Sequence, residues 1–369
     1  MNDYIPVSDE PSDCNKGQIR PIKRCKLDVS LFKAEFMTYD KRDNCFNFIR
    51  LIAALQVFFG HASEHLFVPM PSGVKEIWWA FRGVPIFFIL SGFLIWNSLE
   101  RQTSFFTYCK KRLLRLYPEL WGGVILNAVI ILLIYKEQIS AIPYFLFQCT
   151  QATVLQFWTP DCLRGYGCGT PNGALWTVGV MVQCYIVIYF LHRVLHNKRG
   201  IGFLLAILAG MAVNIGTIPL KGILPEIIYK LFTQTFLPYL WLFVVGAMLC
   251  EYFGKIIVIL KKYWGLCLAI LLAVSISGIE DGIGLYGCVQ SLMLGFIVIG
   301  FGYSVKIPIK HDISYGIFIY HMVVINAMVQ FGVYGNWYHI VIALIGTTIL
   351  AALSYGTIGY ISRRAKRQV

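Results

Sequence analysis

The sequence predicts an all-α, polytopic membrane bundle of about ten transmembrane helices with both termini cytoplasmic. Three observations lead there. Of the 369 residues, 57% are hydrophobic and only 14% charged, where soluble domains carry about 25% charged residues. The apolar residues come in runs near the length that crosses a hydrocarbon core as a helix. The Lys and Arg alternate between connections: 25 of the 32 fall on one side of the expected bundle, 5 on the other, and Arg50 and Arg82 inside spans. An even number of spans puts both termini on the richer side, which the positive-inside bias makes cytoplasmic. The net charge of +13 is then a topology signal and no argument for a nucleic-acid partner.

The expected spans lie near 46–67, 77–99, 117–135, 175–196, 201–220, 236–253, 264–279, 284–303, 313–331 and 337–360. Residues 1–45 read as a basic cytoplasmic N-terminal tail, 46–360 as the membrane domain, and 361–369 as a basic cytoplasmic C-terminal tail. No short apolar stretch with a cleavage site opens the chain, so the first span is expected to direct insertion. The N-terminal tail is either solvated or drawn to anionic membrane lipid. Residues 141–158 are too polar to span and read as an interfacial segment with its aromatics at headgroup depth. The Gly-rich spacing of Cys162 and Cys168, on the oxidising outer side, allows a disulfide or two free thiols. No cysteine spacing suggests a zinc site, and no metal is expected.

The first span carries the most informative feature. Arg50 and His61 are separated by ten residues inside one hydrophobic segment. Eleven helical steps bring them back to within about 20° of one direction and roughly 16 Å apart along the axis. Arg50, Ala54, Val57 and His61 therefore share a stripe. Glu64 and His65 follow at i+3 and i+4 from His61, where Glu64 can orient the imidazole. Taken singly, Arg50 snorkelling to lipid phosphate and His61 in an interhelical hydrogen bond are sufficient readings. An arginine and an imidazole aligned on one membrane-buried face favour a functional reading. Arg112 and Arg115 lie at i and i+3 in Lys110-Lys111-Arg112-Leu113-Leu114-Arg115-Leu116-Tyr117-Pro118. Their guanidinium groups suit phosphate, with a plain topology anchor as the alternative.

Four blocks, in order, resemble acyltransferase family 3, a family of integral membrane acyltransferases. They are Arg50 with ten residues to His61, then Gly83-Val84-Pro85-Ile86-Phe87-Phe88-Ile89-Leu90-Ser91-Gly92-Phe93-Leu94-Ile95, then Arg112-Leu113-Leu114-Arg115-Leu116-Tyr117-Pro118, and finally Ile313-Ser314-Tyr315-Gly316-Ile317-Phe318-Ile319-Tyr320-His321. Two departures stand out. Pro85 replaces an aspartate common in relatives, and Met181 occupies a position where many have glutamate, so no role for that carboxylate carries over.

The resemblance implies transfer of an acyl group, commonly acetyl from acetyl-CoA, to a hydroxyl of a cell-envelope glycan such as O-antigen, capsule or exopolysaccharide. The glycan is free or lipid-linked, and the enzyme sits in the bacterial cytoplasmic (inner) membrane. In that frame Arg50, Arg112 and Arg115 are expected to hold the CoA phosphates. An extended pantetheine arm brings the thioester to His61, which acts as general base or transient acyl acceptor. Glu64 and His321 complete the expected catalytic set, His321 with a structural hydrogen bond as its alternative. Ser91-Gly92 reads as close helix packing, because neither a base nor an oxyanion hole is evident for a serine nucleophile. A transporter or flippase for a lipid-linked glycan is the competing function class.

Overall fold

A computed structural model describes residues 41, 43–101, 104–196, 200–277 and 284–367, and no β-strand occurs among them. Nearly all of the expected N-terminal tail lies outside the described residues. The helices, in chain order, are α1 (Phe46–His65), α2 (Val74–Ala80), α3 (Gly83–Leu99), α4 (Phe105–Ile134), α5 (Ala141–Gln151), α6 (Trp176–Leu195), α7 (Ile201–Ile223), α8 (Glu226–Thr233), α9 (Leu240–Glu251), α10 (Phe253–Ile276), α11 (Gly284–Ser304), α12 (Ser314–Gln330), α13 (Trp337–Gly356) and α14 (Ile358–Arg367).

Among the described residues, seven helical stretches are long and apolar enough to cross a membrane: Val74–Leu99, Phe105–Ile134, Gly173–Leu195, Ile201–Ile223, Phe253–Ile276, Gly284–Ser304 and Trp337–Lys366. The chain is a multi-pass membrane protein. Three of the ten expected spans depart from that pattern. The helix α1 has the length of a span but carries Arg50, His61, Glu64 and His65. The helices α9 and α12 are apolar but only 12 and 17 residues long. Both are wrapped by protein: Trp241 to Ala247 of α9 are buried without interruption, as are Gly316 to Val323 of α12. A helix enclosed by other helices has no bilayer thickness to match.

Small residues let the central helices approach backbone to backbone. A Cβ on Gly92 of α3 would collide with the Phe243 carbonyl of α9, and one on Gly246 of α9 would collide with the Ile89 carbonyl of α3. The Ser91-Gly92 step is thus a packing contact, as the sequence suggests. Gly83 meets the Ala53 carbonyl of α1 in the same way, and its N–H donates to Gln56 Oε1 at 2.8 Å. Gly316 of α12 rests on Ala351 of α13. With little hydrophobic drive between helices in lipid, close packing of this kind is what holds them together.

The basic segments are more helical than their charge suggests. The helix α4 starts at Phe105 and passes through Pro118, which neighbouring groups tolerate in a membrane helix. The helix α10 absorbs Lys255 and Lys262, whose ammonium groups lie 5.6 Å and 5.3 Å from the ring centroids of Tyr252 and Tyr263. The basic C-terminal segment folds as α14 and lies along α4, where Ser362 Oγ donates to the Leu114 carbonyl. Gly92→Ala is expected to destabilise the detergent-solubilised protein by about 1–3 kcal/mol through overpacking. Gly216→Ala, with no atom within 4 Å of the new Cβ, is expected to be neutral or stabilising. Equal thermal stability of the two variants would contradict the packing account.

Candidate active site

The site is built where α1 meets α12. The start of α1 is tied down by the Cys45 N–H on the Gly302 carbonyl at 2.9 Å and by Asn47 Nδ2 on the Ile309 carbonyl at 3.0 Å. One turn on, Arg50 Nη1 donates to Asn47 Oδ1 at 3.2 Å and to Asp312 Oδ2 at 3.3 Å. Asp312 sits just before α12, where its other oxygen accepts the Ser314 N–H at 3.2 Å and the Ser314 hydroxyl. A carboxylate is favoured at a helix N-terminus, so the same group caps α12 and neutralises Arg50.

A cavity of about 350 Å³ opens at this end of the bundle, at the small end of the range for ligand sites. Arg50, Arg115, Lys310, Arg363 and Lys366 line it, against two acids, Glu119 and Asp312. Its apolar lining includes Val84, Phe87, Phe88, Val178, Met181 and Phe318. Arg115 is where a phosphate-binding arginine is expected. Arg112 is not: its Nη2 donates to Ser98 Oγ of α3 at 2.7 Å and its guanidinium lies 5.3 Å from the Tyr108 ring centroid. The two arginines share a side of α4 at i,i+3 spacing, but only Arg115 lines the cavity.

Sequence reasoning missed four charged groups here. Lys310, Asp312, Arg363 and Lys366 are read as topology charges or loop residues when only charge is counted. A signal was present in the last helix: Gly359, Ser362, Arg363 and Lys366 recur at i+3 and i+4, one face of α14, and all four line the cavity. Arg363 is further oriented by stacking 3.8 Å from the Tyr355 ring centroid and by Nη2 donating to the Tyr355 carbonyl at 2.9 Å.

His61 lies near the other end of α1, away from this cavity. Its ring centroid is 5.2 Å from that of His321 on α12 and 5.6 Å from that of His65, with which it stacks. His321 is fully buried. Its Nδ1 faces the Ile317 carbonyl at 3.2 Å, a contact that requires Nδ1 to carry the proton and leaves a lone pair on Nε2. That Nε2 and His61 Nδ1 are both buried without a hydrogen-bond partner among the described residues. Two orphaned imidazole nitrogens on neighbouring rings, each able to present a lone pair, make a receptor for a hydrogen-bond donor such as a hydroxyl. Glu64 is exposed, and the donor atoms of His61, Glu64 and His65 lie within 4.8 Å of one another. These three could also hold a cation.

The loop from Asp161 to Asn172 closes over this end by hydrogen bonds to α12. The Gly167 N–H donates to Gln330 Oε1 at 3.0 Å, the Cys168 N–H to Asn326 Oδ1 at 2.7 Å, and Asn326 Nδ2 to the Pro171 carbonyl at 3.0 Å. Gly167 has φ +53°, and a Cβ there would strike the Asn326 side chain, so glycine is required. Cys162 and Cys168 are both free thiols. Burial, reinforced by the Glu64 carboxylate, pushes the Cys168 thiol up to about 11.

Phe318 joins the two halves. It lines the cavity, and its ring lies 5.9 Å from that of Phe87 and 6.0 Å from that of His321. The Phe318 ring thus lies between the cavity that it lines and the His321 ring.

The family model described as an acyltransferase domain matches residues 43–356. The chain belongs to this acyltransferase family. Two curated relatives of the acyltransferase are each 27% identical to it. "Nodulation protein 10" of Rhizobium leguminosarum bv. viciae aligns with 85% of this chain and 92% of its own length. "O-acetyl transferase" of Shigella phage Sf6 aligns with 78% of this chain and 87% of its own. No solved structure matches the chain.

The Arg50–Asp312 pair is partly exposed, with side chains at 14% and 24%, so its contribution lies above that of a surface pair and below that of a dry one. A double-mutant cycle on Arg50→Ala and Asp312→Ala is expected to give a coupling of about 1 kcal/mol in unfolding free energy. Strict additivity would show that the two residues do not support each other.

Proposed function

We propose that this acyltransferase moves an acetyl group from acetyl-CoA, bound at the cytoplasmic mouth, to a hydroxyl of a cell-envelope glycan reached from the other side of a bacterial inner membrane. The reading rests on one observation above all: Phe318 both lines a cationic cavity and packs against His321, one of a pair of imidazoles with unpartnered nitrogens. It is supported by the family assignment and by the O-acetyl transferase name of one relative.

The division of labour follows from charge. The phosphates of acetyl-CoA belong with Arg50, Arg115, Lys310, Arg363 and Lys366, since guanidinium and ammonium groups recover the solvation that a phosphate loses on entering a cleft. Arg112, engaged with Ser98 and Tyr108, supports α4 and makes a smaller contribution. The glycan hydroxyl sits between His61 Nδ1 and His321 Nε2. As that oxygen attacks the thioester carbonyl, its proton passes to His61. The carbon–sulfur bond breaks, the ester forms, and the proton leaves with the CoA thiol. Glu64 orients and charge-balances the imidazolium. A transient acyl group on His61 is the two-step version, and the unpartnered nitrogen of His61 suits it equally. A transporter or flippase for a lipid-linked glycan leaves the family assignment without a role.

Membranes carrying the wild type are expected to transfer radiolabelled acetyl from acetyl-CoA into envelope polysaccharide, and His61→Ala at matched expression to lose the label by about a thousandfold or more. Equal labelling would remove His61 from the chemistry, and no labelling by the wild type would remove acetyl-CoA as donor. Arg115→Ala is expected to raise KM for acetyl-CoA about tenfold with kcat little changed, and Arg112→Ala to change it less. A reversed order would contradict the phosphate assignment.

A further inference from the structure

We propose that His61, Glu64 and His65 form a binding site for a transition-metal dication of the zinc class, and that the bound ion silences acyl transfer by taking the lone pair of His61. The silencing rests on the role given to His61 above; the binding does not. The three residues fall in His61-Ala62-Ser63-Glu64-His65, the C-terminal end of α1. Positions i, i+3 and i+4 share one helix face, and histidines four apart on such a face chelate zinc. One donor atom from each residue lies within 4.8 Å of the others, against about 3.3 Å between ligands around a tetrahedral zinc. Side-chain rotation of the exposed Glu64 and the half-buried His65 takes up the difference.

The surroundings favour a cation. The unpaired carbonyls at a helix C-terminus attract positive charge, and the last turn of α1 carries neither lysine nor arginine. The backbone there is pinned. The Leu66 N–H donates to the Ala62 carbonyl at 3.0 Å, the Gly335 N–H to the Leu66 carbonyl at 2.8 Å, and Ser63 Oγ to the Val68 carbonyl at 2.7 Å. His61 and His65 are already stacked on this fixed turn. An independent observation points the same way. His61 Nδ1 is buried with no partner among the described residues, and so is Nε2 of the fully buried His321 on the neighbouring ring. Buried nitrogens of this kind call for an occupant, and the metal ion and the glycan hydroxyl compete to supply it.

The donor set selects the class of ion. Two imidazoles and one carboxylate suit Zn2+ and its neighbours, whereas Mg2+ and Ca2+ take oxygen donors. Three protein ligands leave the fourth position of zinc to water, and the exposed Glu64 gives the ion its entry path. The effect on transfer follows from the imidazole itself. A neutral ring has one nitrogen lone pair and one N–H. Whichever nitrogen binds the metal, the other keeps the proton. The ring can then neither accept the hydroxyl proton nor carry an acyl group.

The test counts zinc per chain in purified protein dialysed against buffered micromolar Zn2+, and measures labelled acetyl transfer from acetyl-CoA by membranes with and without the ion. The wild type is expected to bind one zinc, to lose transfer as the site fills, and to regain it with EDTA. Mg2+ at the same concentration is expected to do neither. His65→Phe keeps a flat ring against His61 but removes a ligand. It is expected to bind zinc about tenfold or more weakly and to keep transfer at zinc concentrations that stop the wild type. His65→Gln is the second variant should the phenyl ring disturb the fold. A wild type that binds no zinc overturns the proposal, and so does a folded His65 variant that binds it as tightly as the wild type. Zinc bound through His65 with transfer undiminished at full occupancy overturns the silencing. His61→Ala separates that result from a failure of the mechanism: loss of transfer in this variant keeps His61 in the chemistry, and retained transfer removes it. If the wild type transfers nothing from acetyl-CoA, the donor reading falls, and the zinc count still decides the binding.

Discussion

An arginine inside a membrane helix has to find a carboxylate, and Arg50 finds Asp312. That pair fixes more than a charge. Asp312 also caps α12 through Ser314, so a single carboxylate sets the register of α1 against α12. Eleven residues along α1 and nine along α12 the same register brings His61 against His321. The charged end and the imidazole end of the site are thereby coupled through two stiff helices, about 16 Å of α1 lying between them. Loss of the register would separate the imidazoles without touching either.

The bundle can keep that register because its centre is packed backbone to backbone. Gly92 against Phe243, Gly246 against Ile89 and Gly316 against Ala351 leave no room for a helix to rotate or slide. The shorter apolar helices at these contacts, α9 and α12, are the ones enclosed by others. The loop from Asp161 to Asn172 adds a second clamp through Asn326 and Gln330, beyond His321. The site is thus held from the Asp312 end and from the loop end of α12.

Much of this was legible in the sequence, and the reasons for the misses are physical. The all-helical class, the shared face of Arg50 and His61 and the packing role of Ser91-Gly92 follow from periodicity, residue cost in a membrane and motif order. The brevity of α9 and α12 was hidden because their flanks are also apolar: hydropathy cannot tell a lipid-facing span from a helix surrounded by protein. The i,i+3 spacing of Arg112 and Arg115 gives a shared side of α4 but not the neighbours that each residue meets, for Arg112 Ser98 and Tyr108. Lys310, Arg363 and Lys366 were absorbed into a topology count, although positive-inside charges and phosphate ligands occupy the same end of a membrane protein and a residue can serve as both. Asp312 carries a local signal only for the start of α12; its pairing with Arg50 exists only once α1 and α12 are side by side.

The proposed reading puts a phosphate-bearing donor among the cations and its acceptor at the imidazoles, each approaching from its own compartment. Oriented vesicles test this most directly. Acetyl-CoA labelled in the acetyl group is supplied to one face only, with the glycan acceptor confined to the opposite face. Labelled glycan is expected when the donor is on the face that carries Arg50 and Arg115 and the acceptor on the face nearer His61, and not with the two exchanged. Labelling only when donor and acceptor share a face would contradict a site that spans the membrane.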